Sequence, residues 1–189
     1  MSEIKQEERL KFRLYFFVPY NISPIQQAIQ AGHAALEYAY HYGNSENYLS
    51  FIKNDKTWII LNGGTTNSER GEDLVSIGTL NQIADQLSLG DGISSPIPHA
   101  YFREPDLENA LTAVCFLADE RVWDYETYPD YVDWLINSLG YISPQRSVEI
   151  KMQKYEDLIK NPKYPEWIKF LGGNEIVFLR QLLKGKKLA

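Results

Sequence analysis

Three side chains that could do acid–base or hydrogen-bonding chemistry lie close together in the first quarter of the chain. Gln26, Gln30 and His33 occupy positions i, i+4 and i+7, so they share one face if the segment is helical. A histidine can act as a base, an acid or a hydrogen-bond donor near neutral pH. The alternative is a packing residue, flanked by Gly32 and Ala34 and satisfied by a backbone carbonyl. Spacing alone favours packing.

The preceding segment predicts where these side chains lie. Residues 12–19 (FRLYFFVP) form a continuous apolar run typical of a strand buried on both faces. Ser23 is a good N-cap and Pro24 a good first helical residue, so a helix should begin there and end at Tyr40 or Tyr42. It begins beyond the carboxyl end of the strand, where open α/β sheets bind ligands. Small and apolar residues form another face at 3.6-residue spacing: Ile25, Ala28, Ile29, Gly32, Ala35, Leu36 and Ala39.

The rest of residues 1–118 predicts an α/β domain with a mixed four-stranded sheet and helices packed on it. A loop is expected at 65–73, and the turn Glu104-Pro105-Asp106 joins the last two strands. The further elements expected are helices at 46–54 and about 76–89, a buried strand at 57–61, and strands at about 98–103 and 111–117.

Residues 119–189 have a different character and predict an α-helical extension, either packed on the sheet domain or forming a partner surface. Tyr, Trp and Leu recur there, separated by Gly, Pro and Asn. The acidic stretch 119–133 is interpreted as a solvated helical face in preference to a cation site. The expected helices are 128–140, 147–160, 164–171 and 174–183.

The net charge is divided unevenly along the chain. Residues 1–118 contain 8 Lys and Arg residues against 14 Asp and Glu residues, a net charge of −6, whereas residues 119–189 contain 11 of each. Nucleic-acid binders draw much of their affinity from neutralising phosphates, so an acidic sheet domain disfavours general RNA binding. A local basic patch is still compatible with this balance. The one dense basic cluster is Arg180, Lys184, Lys186 and Lys187.

The stretch from Ile22 to Ala35 resembles the signature helix of type 2 peptidyl-tRNA hydrolases, a bacterial and archaeal fold family. In that family a strand leads into a leucine–serine turn, a lysine, a small-residue stretch, a glutamine and a histidine–alanine pair. The family's glutamine and histidine fall on Gln30 and His33, and Gln26 stands where the family has its lysine. The resemblance spans roughly residues 12–118 and implies the same sheet fold, here with a C-terminal extension.

A second motif of the family resembles the turn between the last two strands. Residues 101–106 and 111–114 match a strand, an aspartate-rich turn and a threonine that opens the last strand. Glu104 stands for the family's aspartate and Thr112 for its threonine. The residues implied as catalytic are Gln30, His33, Glu104 and Thr112, with Gln26, Arg103 and Asn62 as substrate-binding residues.

The resemblance implies hydrolysis of the ester that links a peptide or aminoacyl group to tRNA, with a carboxylate and a threonine orienting or activating water. Two alternatives leave open whether the chain is an enzyme of this kind. One is a catalytically inactive binding or regulatory protein on the same scaffold, indicated by Gln26 in place of lysine and by the acidic sheet domain. The other is a small-molecule or nucleotide-handling enzyme that uses the same edge pocket.

Other residues narrow the partners and the compartment. The expected partners are tRNA through a local basic patch, and a protein or a second copy through the C-terminal helices; no cofactor is expected. His41 and His99 are isolated, so no metal site is expected. The backbone at 62–67 could cradle an anion, although a plain turn is favoured. The single Cys115 is interpreted as a buried strand residue in preference to a catalytic thiol.

A cytoplasmic location is expected. One cysteine cannot form an internal disulfide, which suits a reducing compartment. The first residues, 1–11, are polar and charged and do not resemble a signal peptide. No apolar run approaches the roughly 20 residues that span a bilayer, so no membrane association is expected.

Overall fold

The computed structural model of the chain describes residues 9–65, 78–90 and 93–189. Its contacts divide the chain into two compact units: residues 1–120 with 183–189, and residues 121–182. The division predicted from sequence was 1–118 and 119–189. The strands are β1 (Phe12–Val18), β2 (Thr57–Asn62), β3 (His99–Glu104) and β4 (Ala110–Asp119). The helices are α1 (Pro24–Tyr42), α2 (Glu46–Asn54), α3 (Thr79–Leu89), α4 (Tyr131–Ser138), α5 (Pro144–Lys151), α6 (Tyr155–Leu158), α7 (Tyr164–Leu171) and α8 (Asn174–Leu183).

The first unit is an α/β structure built on a mixed four-stranded sheet, as predicted. The strand order is β2-β1-β4-β3; β1 and β2 are parallel, and β4 runs antiparallel to both β1 and β3. The carboxyl ends of β1, β2 and β3 therefore meet the amino end of β4 at one edge of the sheet. We refer to it as the site edge.

Helix α1 begins where its sequence signals place it. Ser23 caps the helix: its hydroxyl accepts a hydrogen bond from the backbone N–H of Gln26, and the Gln26 side chain accepts one from the backbone N–H of Ser23. This reciprocal capping box, with Pro24 in the first turn, fixes the start of α1 just beyond β1. Every later residue of the helix, including Gln30 and His33, is thereby set in register with the site edge.

One face of the sheet packs against α1 and α2. Phe16 and Val18 of β1 and Cys115 of β4 are fully buried there. On the other face, Phe17 of β1 and Phe116 of β4 pack as a pair of rings with centroids 6.3 Å apart. Helix α3 contributes buried apolar residues to the first unit: Leu80, Ile83 and Leu87.

The small and apolar face predicted for α1 is not the face that packs on the sheet. Ile25, Ile29 and Leu36 are exposed, and the buried residues of α1 are Gln27, Gln30, Ala31, Ala34, Ala35 and Tyr38. Two glutamines belong to the buried face because each finds a hydrogen-bond partner; Gln27 donates to the carbonyl of Pro19 at 3.0 Å.

Strand β2 is less buried than its apolar sequence predicts, because it is an outermost strand of the sheet and pairs with only one other strand. Trp58 in this strand is 45% exposed. The end of the chain covers part of the open edge: the Asn62 N–H donates to the Lys187 carbonyl, the Ala189 N–H donates to the Ile60 carbonyl, and Leu61 and Leu188 form an antiparallel bridge. The sequence did not predict this pairing, because three lysines and a glycine are poor strand signals.

The second unit contains α4 to α7 and most of α8. The expected helices at 164–171 and 174–183 are confirmed, whereas the single helix expected at 147–160 is two shorter helices, α5 and α6. Arg180, only 4% exposed, joins the unit's first loop to α8. Its guanidinium donates to the carbonyls of Arg121 and Tyr128 and to the Asp130 carboxylate, and stacks 4.6 Å from the ring centroid of Tyr125. Burial lowers the pKa of Arg180.

In the described part of the chain, every helix is too short or too polar to cross a membrane.

Candidate functional site

Three residues from three different elements form a hydrogen-bonded chain at the site edge. The Thr112 hydroxyl at the start of β4 donates to Oε1 of Gln30 at 2.6 Å, and Nε2 of Gln30 donates to Oε2 of Glu104, the last residue of β3, at 2.7 Å. Thr112 is 1% exposed and Gln30 is 8% exposed, whereas Glu104 is only partly buried. The series of hydrogen bonds therefore leads from a buried hydroxyl to a carboxylate that solvent can reach.

A β-bulge aims Thr112 at the helix. Phe102 of β3 lies opposite Ala113 and Arg103 lies opposite Leu111, so Thr112 is the extra residue on β4. Without the bulge, Thr112 and Ala113 would point to opposite faces of the sheet, since side chains alternate along a strand. The bulge breaks this alternation, and Thr112 shares the α1 face with the buried Ala113.

The Glu104 carboxylate determines which way the amide of Gln30 faces, because it can only accept hydrogen bonds and so takes the N–H side of the amide. A hydroxyl that donates to Oε1 leaves the two N–H groups of the amide free to donate. One of them points at Oε2 of Glu104, where an amide oxygen would be repelled by the carboxylate. The other carboxylate oxygen, Oε1 of Glu104, accepts no hydrogen bond from the residues that the structure describes. A carboxylate held by one oxygen and accessible at the other can take a proton from water.

His33 lies one turn beyond Gln30 on the same flank of α1. Its ring packs against Phe102 of β3, with centroids 4.3 Å apart, and its Nδ1 is buried with no hydrogen-bond partner among the described residues. The backbone carbonyl expected for a simple packing histidine is therefore not at Nδ1. A buried nitrogen without a partner costs roughly 1–3 kcal/mol, and such atoms need an explanation in a native structure.

The three residues expected to bind substrate are not gathered around Glu104. Gln26 is exposed, and its side-chain oxygen is engaged in the capping box. Arg103, in β3 itself, donates to the Asn109 carbonyl at 3.2 Å, and its guanidinium lies 5.8 Å from the ring centroid of Tyr101. Asn62 is also at the site edge, but its strand β2 lies three strand spacings, about 14 Å, from the strand β3 that ends at Glu104.

The anion cradle considered at 62–67 is not available in its described part. The Gly63 N–H donates to the Val18 carbonyl, the Gly64 N–H to the side-chain oxygen of Asn62, and the Thr65 N–H to the hydroxyl of Thr79. These hydrogen bonds use up the N–H groups that would face an anion, so the segment is a turn; residues 66 and 67 lie outside the described residues.

Cys115 is a buried strand residue, as favoured from sequence. Its thiol donates to the Ala34 carbonyl at 3.2 Å, and burial raises its pKa far above the usual range. A thiol buried in this way is typical of an inert structural cysteine. Among the described residues no group of three His, Cys, Asp or Glu side chains could hold a metal ion.

Lysines near the end of the chain lie at the opposite end of the site edge from Glu104. The backbone pairing with β2 holds Lys187 beside Asn62, and the Nζ of Lys186 lies 5.5 Å from the ring centroid of Phe17. The cluster was recognised in the sequence as basic, but its attachment to the sheet was missed. The pairing of these last residues with β2 could not be predicted, because a short polar segment carries no pattern that identifies its partner strand.

In comparisons with protein families, with curated proteins and with solved structures, the chain has no match.

Proposed function

We propose that the protein is an esterase of the type 2 peptidyl-tRNA hydrolase kind, acting on the bond between a peptidyl or aminoacyl group and tRNA. The observation that carries the proposal is the hydrogen-bonded chain Thr112–Gln30–Glu104. Three residues singled out by the resemblance lie on a helix and two strands that are far apart in sequence, and they make consecutive hydrogen bonds of 2.6 and 2.7 Å. A helix without a functional role would more simply bury an apolar residue than Gln30.

In the proposed reaction Glu104 is the general base. Its free oxygen takes a proton from a water molecule as the water oxygen attacks the ester carbonyl carbon. The tetrahedral intermediate then collapses: the bond from the carbonyl carbon to the ribose oxygen breaks, and the proton on Glu104 passes to that oxygen. Gln30 keeps the carboxylate in place, and Thr112 keeps Gln30 in place. Both are positioning residues, because Thr112 is fully buried and its hydroxyl is engaged.

His33 and the lysines near the end of the chain are the groups proposed to hold the substrate. A turn of the His33 ring that exposes its unpartnered Nδ1 would let that nitrogen hydrogen-bond a polar substrate atom, which would favour binding next to Gln30. Lys186 and Lys187, together with the neighbouring Lys184 in sequence, supply positive charge for the phosphates of the tRNA end; the backbone pairing with β2 holds Lys187 at the same edge of the sheet as the base. They supply charge that α1 lacks, because the position of the family's lysine is occupied by Gln26.

The test is turnover of an N-acetylated aminoacyl-tRNA with a labelled acyl group. We expect release of the acyl group by the wild-type protein, and a rate at least about 100-fold lower for Glu104→Gln, the typical contribution of a general base. The matched control is Asp106→Asn, an exposed carboxylate in the turn that follows Glu104; it should keep the wild-type rate.

Two results would contradict the proposal. One is the absence of acyl release by wild-type protein even at stoichiometric concentration. The other is a Glu104→Gln variant that keeps the wild-type rate and the wild-type circular dichroism spectrum, since the carboxylate could then not be the base.

A second candidate is a binding protein without turnover, and one observation favours it. Gln26, at the position of the family's lysine, is committed to the capping box, so α1 presents no cation beside Glu104. Filter binding with the same tRNA separates the two candidates. Binding by wild-type protein and by Glu104→Gln with equal affinity, and no acyl release by either, would favour the binding protein.

A further inference from the structure

An exposed apolar stripe runs along the outer face of α1. Its large side chains are Ile25, 75% exposed, Ile29, 49%, Leu36, 70%, and Tyr40, 84%. They lie four, seven and four residues apart along the helix, so they form one continuous line about 22 Å long. The exposed Ala28 and the partly exposed Gly32 fill the spaces between them. We call these six residues the α1 stripe.

The stripe carries no charge, and little charge surrounds it. Glu37 is the only Asp, Glu, Lys or Arg among the 19 residues of α1. The four large side chains of the α1 stripe expose on the order of 500 Å², comparable to the largest apolar patch on a typical monomer, which is about 300–600 Å². Two such surfaces together bury roughly 1,000 Å², the size at which a specific protein interface begins. A charged partner such as nucleic acid gains nothing from this face.

The order of residues in the stripe makes it complementary to itself. Ile25 and Tyr40 lie equally far from the midpoint between Gly32 and His33, and so do Ile29 and Leu36. When two copies of α1 cross antiparallel at this midpoint, Ile25 of each copy lies opposite Tyr40 of the other, and Ile29 opposite Leu36. Such a contact is isologous and closes after two copies. Glu37 of each copy faces Ala28 of the other, so no like charges meet.

Gly32 allows the two helices to approach closely at the crossing. Glycine within a helix is unfavourable by about 1 kcal/mol relative to alanine, so its use needs a reason. The described residues of the single chain supply no reason, because a Cβ added at Gly32 would meet none of their atoms within 4 Å. At an antiparallel crossing, the missing side chain is what lets the backbones come together and the flanking isoleucines and leucines interlock.

From the exposure, the lack of charge, the self-complementary order and the unexplained glycine, we infer that the protein forms a homodimer in which the α1 stripes of two copies pack antiparallel across a twofold axis midway between Gly32 and His33. This differs from an association through the C-terminal helices. It is independent of ester hydrolysis, although it places the dimer contact beside His33, which borders the stripe.

Sedimentation of the full-length protein over a range of concentrations tests the association. We expect wild-type protein to reach twice the 21.8 kDa chain mass, and Leu36→Glu to raise the dissociation constant at least 10-fold. Leu49→Glu is the matched control, because Leu49 is 53% exposed on α2, outside the stripe, and its substitution should leave the dimer unchanged. Gly32→Gln should also weaken the dimer while the chain's thermal stability stays the same or rises, which separates association from folding.

Cysteine pairs test the antiparallel arrangement. In the proposed dimer, positions 29 and 36 of different copies face each other, whereas like positions are about 10 Å apart along the axis. The double variant Ile29→Cys with Leu36→Cys should therefore form a disulfide-linked dimer under mild oxidation, and each single variant should not. The native Cys115 does not interfere, since it is fully buried.

Three outcomes would overturn the inference. The first is wild-type protein that remains monomeric at the highest soluble concentration. The second is a dimer that survives both Leu36→Glu and Gly32→Gln, which would place the contact on another surface. The third is efficient cross-linking of Ile29→Cys alone, which would mean a parallel arrangement.

Discussion

Thr112 illustrates how a buried hydroxyl can control a carboxylate that it does not touch. Its hydroxyl donates to Gln30 at 2.6 Å and has a longer contact of 3.3 Å with the Phe102 carbonyl, and Gln30 in turn holds Glu104. The carboxylate already selects the N–H side of the amide, because it can only accept hydrogen bonds. The Thr112 hydroxyl holds the amide at its other end by donating to Oε1. Removing the hydroxyl should therefore affect Glu104 through the position of Gln30.

Thr112→Val removes this donor while keeping the shape of the side chain. The buried Oε1 of Gln30 then lacks its partner, so we expect the free energy of unfolding to fall by about 1–3 kcal/mol. We also expect acyl release to slow on the order of 10–100-fold, because the carboxylate is no longer held in one place. Urea unfolding and the esterase assay measure the two effects.

Two further substitutions show whether the hydroxyl is responsible. Thr112→Ser keeps the donor and should restore most of the rate. Thr57→Val, at an exposed threonine of β2, should change neither quantity. An esterase rate that falls in Thr112→Ser as far as in Thr112→Val would assign the effect to the β-methyl group and its packing.

Asp55 makes one acid-sensitive connection in the first unit. Its carboxylate accepts two hydrogen bonds from the Arg9 guanidinium, both at 2.7 Å, and one from the backbone N–H of Phe12 at 3.0 Å. The hydrogen bond from Arg9 is the main cause of its lowered pKa. A depressed carboxyl pKa adds stability above the unfolded value, about 3.9, and this stability is lost as pH falls through the folded value.

We therefore expect Asp55→Asn to be less stable than wild type at pH 7 and the difference to shrink steadily below about pH 4. Thermal unfolding between pH 7 and pH 2 measures this difference. Asp106→Asn serves as the comparison, because none of the described residues donates to that exposed carboxylate as Arg9 does to Asp55. A constant difference between wild type and Asp55→Asn at all pH values would contradict the assigned cause.

At the scale of elements, capping signals predicted where helix α1 begins, but periodicity did not predict which of its residues face the core. The Ser23–Gln26 capping box and the Pro24 start of α1 were readable because they are local in sequence. The buried face of α1 was not, because Gln30 is buried only by virtue of Glu104 and Thr112, which are remote in sequence. The bulge at Thr112 leaves no local signal either.

The second unit shows the same dependence on a partner remote in sequence. Arg180 was grouped with the C-terminal lysines as part of a basic cluster, yet its guanidinium is buried. Its partners, the carbonyls of Arg121 and Tyr128, lie more than fifty residues earlier. Sequence composition shows the charge of an arginine but not whether backbone carbonyls converge on it, so this role is apparent only from the structure.

Arg180→Met should destabilise the second unit strongly. The substitution keeps apolar bulk but removes the guanidinium that donates to the partly buried carbonyls of Arg121 and Tyr128, so we expect a decrease of about 2–4 kcal/mol in unfolding free energy. Three of the four tryptophans, Trp123, Trp134 and Trp167, are in this unit, so fluorescence-detected urea unfolding reports on it. The control is Arg146→Met, which removes an exposed ion pair with Glu149 and should cost less than about 1 kcal/mol.

For Arg180→Met, equal stability with wild type would mean that water replaces the guanidinium at both carbonyls. A second variant covers the case in which Arg180→Met does not fold. Arg180→Lys keeps the charge but loses the planar guanidinium, so its free energy of unfolding should lie between those of wild type and Arg180→Met.

At the scale of the whole molecule, the last residues of the chain pair with strand β2 of the sheet. Residues 183–189 belong to the same unit as residues 1–120. Their pairing with β2 places Lys187 at the site edge, and Lys186 lies over the ring of Phe17. An acidic sheet domain thus acquires a basic patch from the end of the chain. If the protein acts on tRNA, this patch is where its electrostatic attraction should be concentrated, and the salt dependence of turnover can locate it.

The triple substitution of Lys184, Lys186 and Lys187 to Gln should reduce the salt dependence of kcat/KM. The backbone hydrogen bonds of Lys187 and Ala189 with β2 do not need the side chains, so the fold is kept. For every lysine–phosphate ion pair that the substitution removes, the slope of log kcat/KM against log salt should become shallower by about 0.7–0.9. The matched control is the same change of charge in the second unit, Lys151, Lys154 and Lys160 to Gln, which should leave the slope as in wild type. Equal slopes for the two triple variants would exclude the C-terminal lysines as the groups that bind tRNA.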